Sequence, residues 1–179
     1  QLQIMRDFET TVLVGTPSYV MHLTDVALES GYDFKDLKLR VGLLGSEPWT
    51  NQLRARLEER TGMSACDIYG LSEVIGPGVS FECWNKDGLH INEDHLFVEV
   101  IDPETGEPVP EGKEGELVFT SLTKEAVPVI RYRSGDLASI SYRPCACGRT
   151  FARHSKVYAR TDDMFVIRGV NVYPASIEA

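Results

Sequence analysis

Thr11-Val12-Leu13-Val14-Gly15-Thr16-Pro17 decides the fold class, because it joins a short run of strand-forming residues to a helix-starting pair. Threonine suits the N-cap, where its hydroxyl accepts an orphan amide, and proline suits the first helical position, where its missing N–H leaves no hydrogen bond unmade. A helix is therefore expected from about Pro17 to Ser30, with Val20, Leu23, Ala27 and Met21, Leu28 at helical spacing and Gly31 as terminator. A second strand is expected over Leu39 to Leu44. Thr50 then caps a helix in which Leu53 and Leu57 share one face while Arg54, Arg56, Glu58 and Glu59 stay in water; Gly62 ends it before a third strand near Ala65 to Tyr69. Strands and helices alternating in this way imply parallel strands joined by right-handed crossovers.

After Gly70 the period changes. Short alternating strands are expected at Leu96 to Ile101, Glu116 to Ser121, Val129 to Tyr132 and Leu137 to Ser141, separated by turn clusters such as Asp102-Pro103-Glu104-Thr105-Gly106. That pattern belongs to an antiparallel barrel or sandwich. The fold class is α/β, with a parallel α/β subdomain over 1–75, an antiparallel β-barrel-like subdomain over 76–159, and a short hinge segment over 160–179. The polar, glycine-rich stretch near residues 72–80 is expected to be the junction, and binding sites often form between such subdomains.

Composition narrows the function. With 179 residues, 42% of them apolar, the chain can bury a core. Its net charge of -9, from 27 acidic against 18 basic residues, opposes the phosphate attraction that dominates nucleic-acid binding. No apolar run approaches the roughly 20 residues of a membrane span, and the opening QLQIMRDFETT lacks the apolar stretch of a signal peptide. The expected address is the cytoplasm, where Cys66, Cys83, Cys145 and Cys147 would be reduced thiols or metal ligands rather than disulfides.

Asp67-Ile68-Tyr69-Gly70-Leu71-Ser72-Glu73 places an aromatic ring, a flexible glycine, a hydroxyl and a carboxylate just past the carboxyl end of an expected parallel strand. In open α/β sheets ligands bind at that edge. A strand end running into a polar turn is the plain alternative for this piece taken alone.

Three long stretches, DIYGLSEVIGPGVSFEC, GELVFTSLTKEAVPVIRYRSGD and RTDDMFVIRGVNVYPASIE, occur in an order that resembles the phenylacetate-coenzyme A ligase family of adenylate-forming enzymes. TPSY, GSEPW and INEDH are similar to that family's local patterns, and the resemblance covers essentially the whole chain. It implies a two-step reaction: a carboxylic acid attacks the α-phosphate of ATP to give an acyl-adenylate and pyrophosphate, and coenzyme A then takes the acyl group as a thioester.

By the same resemblance, Tyr69 stacks on adenine, Gly45-Ser46-Glu47-Pro48 form the neighbouring wall, and Asp67 and Gly70 flank the nucleotide. Glu73, with Ser72 beside it in the catalytic motif, holds Mg²⁺ against the ATP phosphates; magnesium favours hard carboxylate oxygens and keeps several waters. Asp136 takes the ribose hydroxyls, Arg160 approaches the ribose or a phosphate, and Asp162 is the hinge candidate within Arg160-Thr161-Asp162-Asp163. A turn aspartate is the alternative for Asp136, and His95 is substrate-side only by analogy. The chain departs from the family at Ala159, where glycine is usual, which puts the freedom of the hinge in doubt. Neither a Ser/Thr/Gly-rich phosphate loop nor the lysine-bearing carboxy-terminal domain occurs in the sequence, so the chain is expected to be an internal fragment, inactive alone. Partners implied are a small carboxylic acid such as phenylacetate, ATP and coenzyme A, with a homodimer allowed.

Cys83, His90, Cys145 and Cys147 make a Cys₃His set of the kind structural zinc prefers. Residues two apart in an extended segment point the same way, so both thiolates of Cys145-Ala146-Cys147 can reach one metal. Ordinary buried cysteines and a hydrogen-bonded histidine are the alternative. Cys66, in an expected buried strand, reads as a small core residue. The set also leaves open a second function class, a noncatalytic zinc-stabilised interaction module built on the same fold.

Overall fold

Thr16 caps a helix as its position suggests. In the computed structural model its hydroxyl accepts from the Tyr19 amide at 3.3 Å, and α2 (Pro17–Glu29) follows β1 (Val12–Gly15), with a short α1 (Leu2–Asp7) ahead of both. The structure describes residues 1–162, 164–167 and 170–172; of these, 1–67, 166–167 and 170–171 form one compact unit and 68–162, 164–165 and 172 the other.

In the first unit β1 pairs in parallel with β2 (Val41–Gly45), and β3 (Ser64–Leu71) lies beside β2. Helix α3 (Asn51–Thr61) begins where the Thr50 hydroxyl accepts from the Leu53 amide at 3.1 Å. It ends at Gly62, whose φ of 72° is the left-handed conformation that glycine adopts without a Cβ clash. Val20, Leu23 and Ala27 of α2 meet Leu57 of α3 in one core with Leu44, Met63 and Ala65. Leu57 is fully buried, which is worth about 1.5–3 kcal/mol relative to exposure.

Two side chains correct the expected faces. Leu28 is 66% exposed, outside the α2 stripe. Arg54 is buried rather than wet, its guanidinium stacked over the Trp49 ring at 4.9 Å, an arrangement that lets a long cationic side chain cover apolar surface.

The second unit is an antiparallel sheet in the order β3-β4-β5-β9-β8-β7-β6, built from β4 (Ile75–Glu82), β5 (Leu89–Ile91), β6 (Leu96–Ile101), β7 (Glu114–Ser121), β8 (Tyr132–Ser141) and β9 (Arg153–His154). β10 (Ala159–Arg160) pairs with β8, and β11 (Phe165–Ile167) pairs with β12 (Val170–Val172) in a separate two-stranded sheet. The sheet stays open rather than closing into a barrel. β4 already uses its second edge on β3, and β6 has β7 as its neighbour at the far end of the order.

The expected junction over residues 72–80 is instead a hairpin. Ser72–Val74 turn the chain, Val74 N–H donates to Leu71 O at 3.1 Å, and β4 returns along β3. Of the strand expected at 129–132 only Tyr132 is in a strand; it opens β8, which carries a bulge and takes in the strand expected at 137–141. Leu117, Phe119, Ala138 and Ile140 form this unit's core with Val79 and Ile91. Among the described residues no helix is long and apolar enough to cross a membrane.

Candidate functional site

The bulge in β8 gathers a cluster of buried polar residues, Glu116, Ser134 and Asp136. Between the pairs Glu116↔Leu137 and Val118↔Arg133 the register slips, so that Ser134, Gly135 and Asp136 stand out from the ladder. Gly135 turns there with φ 77°, a conformation strained for any other residue. Three contacts hold the bulge: Ser134 Oγ donates to Leu117 O at 2.8 Å, Gly135 N–H donates to Glu116 Oε1 at 3.0 Å, and Arg133 Nε donates to Glu116 Oε2 at 2.8 Å. Glu116 is a buried carboxylate fully engaged in this work. Bulges beside functional sites commonly re-aim a side chain, and here the side chain is Asp136.

Asp136 is 5% exposed and meets two partners from distant parts of the sequence. Tyr69 Oη donates to Asp136 Oδ2 at 2.5 Å across 67 residues of chain, and Arg160, directly opposite in the β8–β10 register, forms an ion pair with Oδ1. Burial pushes the Asp136 carboxyl above its ordinary range, outweighing the hydrogen bond from Tyr69 and the Arg160 charge that pull it down. Arg160 is shifted the other way, held more firmly protonated chiefly by Asp162 and then by Asp136. Both directions are physically consistent, because the carboxylate sits deeper than the guanidinium. Burial likewise raises the Tyr69 phenol, with the neighbouring Asp136 charge adding to it.

Arg160 uses its planar fork on Asp162, with Nε to Oδ1 at 2.7 Å and Nη2 to Oδ2 at 2.8 Å, and Nη2 also donates to Ser134 O at 3.0 Å. Asp162 is therefore clamped to the strand it follows. Thr161 N–H donates to Gly135 O at 2.7 Å and closes the same corner. Asp163, Arg168, Gly169 and residues 173–178 of the third motif lie outside the described residues.

The Tyr69 ring is set by its surroundings. Phe119 stacks against it with centroids 6.1 Å apart, and His154 meets it edge-on at 5.3 Å. His154 is almost wholly buried, and its pKa is pulled down to about 4 by loss of solvent. Neutral imidazole fits its contacts: Nδ1–H donates to Ser155 O at 2.6 Å, and Nε2 accepts from Ser80 Oγ at 2.6 Å. Gly70 follows Tyr69 because β4 passes close behind; a Cβ there would lie 2.8 Å from the Pro77 Cα.

Glu73 and Ser72 are exposed in the hairpin turn. Lys124 Nζ donates to the Glu73 carbonyl at 2.8 Å, and among the described residues the Glu73 carboxylate has no hydrogen-bond partner. A carboxylate so presented has the hard, accessible oxygens a magnesium ion takes. Gly45, Ser46, Glu47, Pro48 and Asp67 belong to the first unit. There Ser46 has φ 65°, and the Glu47 carboxylate caps the start of α2 by accepting from Ser18 N–H at 2.6 Å and Ser18 Oγ at 2.9 Å. His95 is exposed and contacts Thr123 Oγ1 at 2.8 Å.

Cys83, His90, Cys145 and Cys147 gather in the second unit with their ligand atoms all within 4.8 Å of one another, while Cys66 is buried in the first. The Cys145 thiol is pulled down to about 6, first by the backbone N–H of Cys147 and then by the Asn85 amide, whereas burial pushes the Cys83 thiol up.

Residues 1–123 match the model of the AMP-binding enzyme family. The chain belongs to that family. This AMP-binding enzyme chain is 51% identical over its whole length to the phenylacetate-coenzyme A ligase of Thermus thermophilus, and 47% identical over 99% of its length to that of Escherichia coli K12. It spans 40% of the length of each. A crystal structure of 2-hydroxyisobutyryl-CoA ligase, in complex with 2-HIB-AMP and CoA in the thioesterification state, is 32% identical and superposes with a TM-score of 0.93 over 98% of this chain and 38% of that one. ATP-bound MatB from Rhodopseudomonas palustris, 22% identical with a TM-score of 0.59 over 98% of this chain and 36% of that one, shares the fold.

Proposed function

We propose that this chain is the nucleotide-holding part of an ATP-dependent acid-coenzyme A ligase acting through an acyl-adenylate. The observation that carries the proposal is the convergence of Tyr69, Asp136 and Arg160 in one buried corner, three motif residues far apart in sequence. Names among the relatives support the same class: phenylacetate-coenzyme A ligases, and a ligase solved with 2-HIB-AMP and CoA.

In this reading the Tyr69 ring stacks on adenine, with Gly70 beside it. Asp136 accepts both ribose hydroxyls, since each carboxylate oxygen retains a lone pair beyond its present contact. Arg160 turns its remaining Nη1 donor toward the ribose or a phosphate. Glu73, beside Ser72, holds magnesium, which when bound neutralises charge on the ATP phosphates as the acid attacks the α-phosphorus and pyrophosphate leaves. Movement at the Asp162 hinge requires that the bidentate bond to Arg160 open first, which makes this pair the latch between the two half-reactions. An aromatic acid such as phenylacetate is the proposed substrate, the cytoplasm the proposed location, and a homodimer the proposed assembly. By themselves these 179 residues are proposed to hold nucleotide weakly at best and to make no thioester.

A noncatalytic zinc-stabilised module is the second reading, favoured by the Cys₃His cluster. The two differ in one measurement. Calorimetric titration of the chain with ATP and Mg²⁺ gives saturable binding if the ligase reading holds; absence of binding by a folded chain overturns it.

A further inference from the structure

The turn after β4, strand β5 and the turn after β8 bring together a set of side chains that no step of the ligase reaction uses. We infer that Cys83, His90, Cys145 and Cys147 bind one zinc ion in a closed tetrahedral site that staples these two turns. The inference is independent of the ligase reading, because none of the four touches the Tyr69–Asp136–Arg160 corner.

Spacing carries it. A tetrahedral zinc with Zn–S of about 2.3 Å and Zn–N of about 2.0 Å holds two sulfurs about 3.8 Å apart and a sulfur and nitrogen about 3.5 Å apart. In the structure Cys83 Sγ and Cys145 Sγ are 3.7 Å apart, and Cys147 Sγ and His90 Nε2 are 3.5 Å apart. No pair in the set exceeds 4.8 Å, so small side-chain rotations close all four on one ion. The sulfurs of Cys83 and Cys145 are also too far apart for a disulfide, whose bond is about 2.0 Å.

Burial argues in the same direction. Cys83, His90 and Cys145 are buried, and the Nδ1 of His90 has no hydrogen-bond partner among the described residues. A structural histidine is normally satisfied through its ring nitrogens, and this one instead aims Nε2 at the sulfurs. The backbone is shaped for ligation at both ends. Lys86 N–H donates to Cys83 O at 3.0 Å and Gly148 N–H to Cys145 O at 2.9 Å, and both Lys86 and Gly148 have positive φ, 53° and 87°. Each turn thereby presents its cysteine toward the same point.

Charge is balanced locally. Three thiolates and a neutral imidazole around Zn²⁺ leave one negative charge. Asn85 Nδ2 approaches Cys145 Sγ at 3.5 Å and Arg149 Nη1 approaches Cys147 Sγ at 3.6 Å, donors that orient and stabilise ligating sulfurs. The same arginine lies 5.8 Å from the Trp84 ring centroid, a second link between the two turns. With four protein ligands the ion has no open position, so the site is structural; it fixes the ends of β4 and of β8, the strand that carries Asp136.

The test is metal content. Native mass spectrometry of the 179-residue chain, purified without chelator, should give the mass of the chain plus one zinc, and zinc-stripped protein refilled with cobalt should show the visible absorption of a tetrahedral cobalt thiolate. Cys145→Ser combined with Cys147→Ser should reduce bound zinc from one per chain to near none and lower the melting temperature. Cys66→Ser should keep the metal. Wild-type chain that stays metal-free after incubation with zinc, with Cys83, Cys145 and Cys147 open to a thiol reagent, would overturn the site, and so would zinc retained by the double variant.

Discussion

Replacing Asp136 by asparagine keeps the shape of a side chain that is 5% exposed and removes its charge. Two neighbours now depend on that charge: Tyr69 Oη at 2.5 Å and the Arg160 guanidinium. The asparagine carbonyl can face Arg160 and its amide can donate to Tyr69 Oη, while Arg160 keeps its bidentate bond to Asp162. What asparagine cannot do is accept two ribose hydroxyls with charged oxygens. Loss of one charge-assisted hydrogen bond is worth about 1.5–3 kcal/mol, which corresponds to a roughly ten- to a hundredfold weaker Kd for ATP. Calorimetric titration of wild type and variant across a pH series measures it. Because burial raises the Asp136 carboxyl, wild-type affinity should begin to fall, on acidification, at a higher pH than an exposed aspartate would dictate, while the variant's stays flat. Stability should move oppositely. A raised folded-state pKa means that the carboxyl's contribution is complete below its unfolded-state pKa and is lost as pH rises through the folded one, so the melting temperature of Asp136→Asn should gain on wild type over that window. Equal ATP affinity, or the same pH dependence in both proteins, would refute the ribose assignment.

Glu73→Gln in a full-length ligase carrying these residues should leave the melting temperature unchanged, since the carboxylate is exposed, and should depress pyrophosphate release by about tenfold or more, an effect that saturating Mg²⁺ does not remove; normal turnover would rule out the metal role. His154 tests the support behind Tyr69. Its folded-state pKa of about 4 lies below the ordinary value near 6.5, so its contribution is complete above pH 6.5 and is lost as pH falls toward 4, about 3 kcal/mol in all. His154→Gln should flatten the upper part of that decline in a plot of melting temperature against pH, and an unaltered slope between pH 6.5 and 5 would show that the buried imidazole is not its source.

Much of the first unit was legible because its signals are local. Thr16, Pro17, Thr50 and Gly62 act on amides within a turn of themselves, and all four behave as their types require. Arg54 was misplaced for the opposite reason: a stack on Trp49 depends on where the chain passes before the helix, and charge type alone says "wet". The hairpin at 72–74 was missed because Ser72-Glu73 reads as a polar junction, while what folds it is the pairing of Ile68 and Tyr69 with Phe81 and Ser80.

The candidate site divides along the same line. Sequence alone determined which residue types are present; the order of the three motifs singled out Tyr69, Glu73, Asp136 and Arg160, and ligand type and spacing singled out the Cys₃His set. Glu116 and His154 gave no such signal, since a buried carboxylate and a neutral core histidine are indistinguishable in sequence from a surface acid and a background histidine. Only the tertiary structure decided that the break at Arg133-Ser134-Gly135-Asp136 is a bulge inside one strand, that Glu116 braces it, and that the buried Asp136 therefore meets the half-buried Tyr69 and Arg160. The physical reason is range: caps and turns are fixed by neighbours in the chain, whereas a buried charge is fixed by partners that the chain must fold to bring within reach.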